Sequence, residues 1–360
     1  VEALLASGRG TRSINVPRLL RVEPGAIRSL PGALIDHFQP ARVLVATGAG
    51  VSRAHGESIA DDLRARGLVA EVESGLVGTL AEAARVLERL DESPVSLVLA
   101  VGGGQPIDVA KLAACRAGVD LVVAPTVLSH DGMASPVASL VASDGLRRSL
   151  GAKMPEGVVI DVEVVGPAPE RYVRAGIGDL ASNLTAVDDW RRAHQRAGEP
   201  FDEFAASIAL LGATAALDLG WPLGHDDLAA LARGLLMSGL AMEVAGSSRP
   251  CSGAEHLVSH ALDVVRGTGA GLHGEHVAVG VLVVAALQRS PHEERIRRLF
   301  QRVGIPLDLE GWALEEATLV EALRLAPSTR PGRRTALDDA DLSADGARRL
   351  VRAAFDGSGS

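Results

Sequence analysis

SLVLAVGGGQPIDVAK, Ser96 to Lys111, is the stretch that decides the fold. Its first half is a short apolar run without alternation, as expected of a strand covered on both faces of a parallel sheet. Three consecutive glycines, Gly102, Gly103 and Gly104, then lead into a helical pattern. Glycine permits positive φ and close backbone approach, and a helix N-terminus offers unpaired N–H groups and a positive dipole end, so the turn suits a pyrophosphate. A tight strand-to-helix turn also uses glycine for geometry alone. The spacing is not the G-x-G-x-x-G fingerprint, so the expected sheet is Rossmann-like rather than an ordinary Rossmann domain.

On either side the same alternation continues. Strand-like runs at Ala41 to Ala46, Val69 to Glu73 and Asp120 to Ala124 are separated by helical patterns at Ser58 to Ala65, Thr79 to Leu90 and Ile107 to Ala117. Strands alternating with helices predict parallel βαβ units. Beyond about Pro167 strand signals almost vanish. Ala- and Leu-rich helical stretches follow at Ala205 to Leu219, Asp227 to Ala245, Gly253 to Val265 and Val277 to Leu287. The expected architecture is an α/β N-terminal domain (residues 1–165) with a parallel sheet, and an all-helical C-terminal domain (166–356). Val165 to Pro169 is the connector, and 357–360 (GSGS) a flexible tail. A cleft between two domains is the default ligand site.

The strand ending at Ala124 runs into PTVLSHDGMASP, Pro125 to Pro136. Hydroxyls, a histidine and an acid beyond a strand's carboxyl end lie where open parallel sheets bind ligands. Asp-Gly and Ser-Pro turns explain the composition equally well, but not its placement beside the glycines.

The second chemical signal is SGAEHLVSHALDVVRGTGAGLHGEHVAVG, Ser252 to Gly280. His256 and His260 stand one helical turn apart on one face, and Gly267, Gly269 and Gly271 offer a bend that returns His273 to the same point. Three imidazoles in one pocket suit a divalent metal, although an HxxxH pair alone also occurs without one. Zinc would further want a carboxylate or another nitrogen, with one position left open for substrate. The best carboxylate is Asp179 in AGIGDLASNLTAVDDW, where Gly176 and Gly178 precede a plausible helix start; alone, that acid reads as a helix N-terminal charge.

Bulk properties narrow the class. At 360 residues, 47% of them hydrophobic, the chain is long enough for two cores. A net charge of −9 and 2% aromatic residues argue against nucleic acid as a partner. The pairs Arg147-Arg148, Arg191-Arg192 and Arg333-Arg334 read as solvated helix faces. Cys115 and Cys251 make no disulfide framework, no secretory signal pattern opens the chain, and no uninterrupted apolar run reaches membrane-spanning length. A soluble cytoplasmic protein is expected.

With these pieces in place, the chain resembles the dehydroquinate synthase-like and iron-containing alcohol dehydrogenase superfamily at GGGQPIDVAK (102–111), Asp179, His256 and His273-Gly274. Within it, the chain is similar to the glycerol-1-phosphate dehydrogenases at APTVLSHDGMASPVASL (124–140), GIGDLASNLTAVDDW (176–190), SGAEHLVSHALD (252–263) and LHGEHVAVG (272–280). The likeness extends from about Val16 to RPGRRTALDD, Arg330 to Asp339.

The resemblance implies a dehydroquinate synthase-like fold and zinc held by Asp179, His256 and His273. Iron-dependent relatives add a histidine four residues after the aspartate; Asn183 stands there, which fits a three-residue zinc site. His260 would line the pocket, and His276 would lie outside it. The cofactor, NAD or NADP, would lie on Gly48, Gly102, Gly103 and Gly104, with Asp108 and Lys111 near its nicotinamide side and Thr126 and Ser129 lining the cleft. Asp131, Ser135 and Lys153 would meet the substrate, Lys153 (ahead of Arg147 or Arg148) taking a phosphate. His260 or Asp131 would relay the proton.

NAD-restricted relatives carry an acid after the first strand. Val45-Ala46-Thr47-Gly48-Ala49 has none, which predicts acceptance of NADPH.

The implied reaction is reversible reduction of dihydroxyacetone phosphate to sn-glycerol 1-phosphate by a homo-oligomer. The alternatives are a zinc dehydrogenase acting on another small polyol, phosphonate or phosphorylated carbonyl, and a dehydroquinate synthase-type cyclase. That cyclase class carries a glutamate where Asp179 stands. A nucleotide-binding scaffold without catalysis would be expected to have lost a ligand.

Overall fold

The computed structural model describes residues 14–355; the tail at 357–360 lies outside them. Six parallel strands form one sheet: β1 (Leu19–Glu23), β2 (Arg42–Thr47), β3 (Val69–Glu73), β4 (Leu97–Gly102), β5 (Asp120–Pro125) and, later in the chain, β8 (Gly157–Asp161). Their spatial order is β1-β8-β5-β4-β2-β3. The apolar run that opens the glycine turn is β4, central as its hydropathy demands, with all six residues buried. Between β5 and β8 an antiparallel hairpin, β6 (Val137–Val141) with β7 (Arg147–Gly151), stands as a separate two-stranded sheet.

The crossover helices are α1 (Ala26–Phe38), α2 (Val51–Ala65), α3 (Leu80–Glu92) and α4 (Gly104–Ala117), with the short α5 (Val162–Val165) after β8. Thr79 caps α3 through its hydroxyl, which accepts the Glu82 N–H. One face of the sheet presents Val43, Val45, Leu97, Leu99, Val122 and Val159 to Leu30 and Leu34 of α1 and Leu63 of α2. Burial of each such side chain contributes roughly 1.5–3 kcal/mol.

The second compact unit begins at Arg174, inside α6 (Glu170–Ala197), eight residues beyond the expected boundary. It continues through α7 (Glu203–Ala216), α8 (His225–Ala245), α9 (Ala254–Arg266), α10 (His273–Gln288), α11 (Glu293–Val303), α12 (Glu316–Thr329) and α13 (Ala344–Phe355). By length and hydropathy α8 is sufficient to cross a membrane, contrary to the sequence expectation, but 67% of its most apolar window is buried inside the structure.

Glycines set how closely the helices of this unit cross. A Cβ on Gly178 of α6 would lie 2.6 Å from the Gly274 carbonyl oxygen and 2.7 Å from the Ala278 Cβ. A Cβ on Gly274 would meet the Ala175 carbonyl oxygen at 2.0 Å, and one on Gly280 the Glu255 carbonyl oxygen at 2.4 Å. Gly178 therefore does not mark a helix start. It lies mid-helix in the 28-residue α6 and lets α10 approach, so Asp179 is a mid-helix residue rather than a first-turn acid.

Candidate active site

Three helices meeting through these glycines bring three donor side chains together. Asp179 on α6, His256 on α9 and His273 at the start of α10 offer ligand atoms that all lie within 4.8 Å of one another. Both imidazole Nε2 atoms stand 3.7 Å from Asp179 Oδ1. That is beyond a hydrogen bond, and near the separation of donors sharing one ion at about 2 Å each. One carboxylate and two imidazoles are a fitting donor set for zinc with a position left for substrate.

The electrostatics agree. Burial opposes charge on His256, yet Asp179 and Glu255 outweigh it and raise its pKa to about 9. The pocket thus holds more negative charge than its own groups neutralise, and a cation is what it suits.

Glu255 was not singled out from sequence, because neighbours along a helix do not face each other. At the start of α9 its fully buried side chain nevertheless turns back. Its Oε1 accepts from His256 Nδ1 at 3.0 Å and from the Gly253 N–H, while Oε2 accepts the Thr185 hydroxyl at 2.9 Å. The carboxylate fixes the ring and turns Nε2 toward Asp179. Asp189 holds the same helix end, its Oδ2 accepting the Ala254 N–H at 2.7 Å. Replacing Glu255 by glutamine should weaken zinc affinity by roughly 10–100-fold, measured by competition with a chromogenic chelator; unchanged affinity would count against this role.

His260 does not enter the donor cluster; its ring stacks on His273 with centroids 6.2 Å apart. His276 is buried and paired with Asp263 at 2.9 Å, outside the cluster. Asn183 is also turned to other work, its amide donating to Ser238 Oγ at 2.8 Å and the Ala209 carbonyl at 3.2 Å.

In the N-terminal unit, Gly102 adopts φ 151°, and a Cβ there would lie 2.6 Å from Pro106 Cγ. Gly103 caps α4 without a side-chain acceptor, which leaves no side chain to satisfy the N–H groups of Gly104 and Gln105. His130 packs over the turn; a Cβ on Gly104 would stand 2.1 Å from its Nε2. The backbone N–H of Thr126 donates to the Gly102 carbonyl at 3.0 Å, which sets the strand end beside the glycines. Thr126 and Ser129 are largely buried, and Thr126 Oγ1 lies 3.4 Å from Ser52 Oγ. Asp131 opens a 3-10 turn with its side chain half-buried. Gly48 lies buried just past the end of β2, where a Cβ would make ordinary contact with Pro106 Cγ at 3.6 Å and the Leu76 carbonyl oxygen at 3.9 Å.

Several of the expected site residues are engaged within the chain. Lys111 is 1% exposed, and its ammonium bonds Asp108 Oδ1 at 3.3 Å, the Val137 carbonyl at 2.7 Å and the Gly132 carbonyl. With its three donors used, Lys111 braces the loop from beneath. Asp108 is buried with it, its Oδ2 accepting the Ser139 N–H at 3.0 Å. Ser135 is also buried, its hydroxyl on the Val137 carbonyl. Lys153 is exposed, and its charge already meets Glu156.

The sequence profile of the iron-containing alcohol dehydrogenases matches residues 21–169. Among curated relatives, the glycerol-1-phosphate dehydrogenase, NAD(P)+, of Hyperthermus butylicus is 37% identical over 94% of this chain and 97% of its own. That of Aeropyrum pernix is 40% identical over the same shares. Among solved structures, the glycerol dehydrogenase of Schizosaccharomyces pombe superposes with a TM-score of 0.79 at 20% identity, covering 96% of this chain and 91% of that one. A probable glycerol dehydrogenase of Sinorhizobium meliloti gives 0.76 at 24% identity, covering 96% and 99%. The fold is that of these dehydrogenases, a parallel-sheet α/β domain followed by helices. The chain belongs to the glycerol-1-phosphate dehydrogenase family and is an oxidoreductase.

Proposed function

We propose that this enzyme reversibly reduces dihydroxyacetone phosphate to sn-glycerol 1-phosphate, using NAD(P)H and zinc. The observation that carries the reading is the Asp179-His256-His273 cluster in a chain whose near-full-length relatives bear that activity in their names. These three residues would hold the ion, which supplies Lewis-acid polarisation of the ketone oxygen when bound. The nicotinamide supplies the hydride.

The protein's part is positional and protonic. Glu255 keeps His256 Nδ1 occupied, so Nε2 is the atom left for coordination. The imidazole of His260, stacked on His273, is placed to hold the proton that the developing alkoxide needs. The glycine turn at 102–104 seats the cofactor pyrophosphate on the N-terminus of α4, with Thr126, Ser129 and Asp131 on the loop beside it. Turnover that requires the phosphate, with free dihydroxyacetone inert and sn-glycerol 1-phosphate as the enantiomer formed, supports the reading. Formation of sn-glycerol 3-phosphate would overturn it.

Cofactor choice follows from Gly48. The end of β2 carries no acid to repel a 2′-phosphate. Gly48→Asp, whose Cβ would make ordinary contact with Pro106 Cγ at 3.6 Å, should cut NADPH efficiency by roughly 100-fold or more while sparing NADH, since a like-charge contact costs several kcal/mol. Steady-state kinetics with both nucleotides check this; an unaltered ratio would remove Gly48 from the ribose site.

A further inference from the structure

The C-terminal unit contains a second cluster of charge, one with the opposite sign. Arg249 is buried and forms a bidentate pair with Glu199, its Nη1 donating to the Arg334 carbonyl at 2.8 Å. Beside it, Arg330 Nη1 and Arg333 Nη2 converge on one hydroxyl, Ser248 Oγ, at 3.1 and 3.0 Å. Arg333 Nη1 also donates to the Ser252 carbonyl. Among the described residues neither Arg330 nor Arg333 has a carboxylate within ion-pair distance, and the Glu199 carboxylate is taken by Arg249. Burial, then repulsion from Arg249, lowers the pKa of Arg330; burial, then repulsion from Arg330 and Arg249, lowers that of Arg333 further. A guanidinium keeps its charge regardless. The cluster is therefore short of negative charge.

Its position ties it to the metal ligands. Arg333 holds the Ser252 carbonyl, just before the Gly253 N-cap of α9, the helix that carries His256 in its first turn. The neighbouring Cys251 carbonyl accepts from Ser182 Oγ at 3.1 Å, and the same hydroxyl donates to the Asp179 carbonyl at 2.6 Å. Paired guanidinium forks sharing a serine hydroxyl match a phosphate monoester, whose oxygens accept several charge-assisted bonds at once.

We infer that Arg330, Arg333 and Ser248 form the phosphate-binding subsite for a small phosphorylated ketone, in place of Lys153. The substrate class rests on the function proposed above; the anion site itself does not.

The test is titration of the full-length, zinc-loaded protein with inorganic phosphate by calorimetry, alongside Arg330→Gln, Arg333→Gln, Arg333→Lys and Lys153→Gln. Wild type should bind phosphate, and each glutamine variant should bind about tenfold or more weakly. Arg333→Lys should also lose affinity, because a point charge lacks the fork. Zinc content and far-ultraviolet circular dichroism report folding; if Arg333→Gln fails to fold, the less buried Arg330→Gln decides. In steady state the same variants should raise KM for the phosphorylated ketone more than they lower kcat. Wild-type affinity in Arg330→Gln, loss of binding in Lys153→Gln, or no binding by wild type would each overturn the subsite. Arginine-dependent phosphate binding without reduction of any phosphorylated ketone would keep the anion site and sink the proposed reaction. Reduction with an unchanged KM in Arg330→Gln would do the reverse.

Discussion

Asp179→Ala should leave the protein folded, without stoichiometric zinc, and slower by roughly three orders of magnitude or more. Asp179 Oδ1 faces both imidazoles at 3.7 Å, so it is the common neighbour of the other two donors. Without it two histidines from different helices remain, too few for a three-ligand catalytic site. Lewis-acid polarisation contributes several kcal/mol of barrier lowering, and each 1.36 kcal/mol is tenfold in rate. His256→Ala and His273→Ala should behave alike. Elemental analysis of each purified variant, with turnover on the same sample, checks the expectation. Full zinc and full turnover in all three would mean that the centre lies elsewhere.

The largest expected loss of stability is at Lys111→Met. A lysine side chain with no exposure is tolerable because its three N–H groups are all engaged, one of them by Asp108. Methionine fills similar space but strands a buried carboxylate and two carbonyls. Removing one partner of a buried pair costs about 3–5 kcal/mol. Adding Asp108→Ala should recover part of that loss, because the stranded charge goes with it. Denaturant unfolding of the two single variants and the double variant measures the coupling; a cost below about 1 kcal/mol for Lys111→Met, or strict additivity, would contradict the brace. Because the pair holds the loop carrying Asp131, nucleotide binding should weaken alongside stability.

How much of this was legible in the sequence depends on what each residue type encodes locally. The β2, β4 and β5 runs are buried on both faces, so their composition alone marks them within a residue or two. β1 escaped because LLRVE, at the sheet edge, exposes Leu20 and leaves Arg21 and Val22 half-buried. The three members of the donor cluster were readable through the family resemblance, whereas residue spacing alone favoured His260 as much as His273. Gly178 read as preceding a helix start because a one-dimensional pattern cannot distinguish such a glycine from a point where another helix presses close. Arg333 read as part of a solvated face for a similar reason. Its partners, at positions 248 and 252, are more than eighty residues away, and only the tertiary fold brings them together. Glu255 stood inside a recognised motif, but its role depends on a side chain folding back at a helix end.

The most direct measurement of the central claim is NADPH oxidation with dihydroxyacetone phosphate by protein stripped of metal with a chelator and then titrated with zinc. The account predicts no turnover after stripping and recovery that saturates at one zinc per chain. Full turnover by the stripped protein would contradict it.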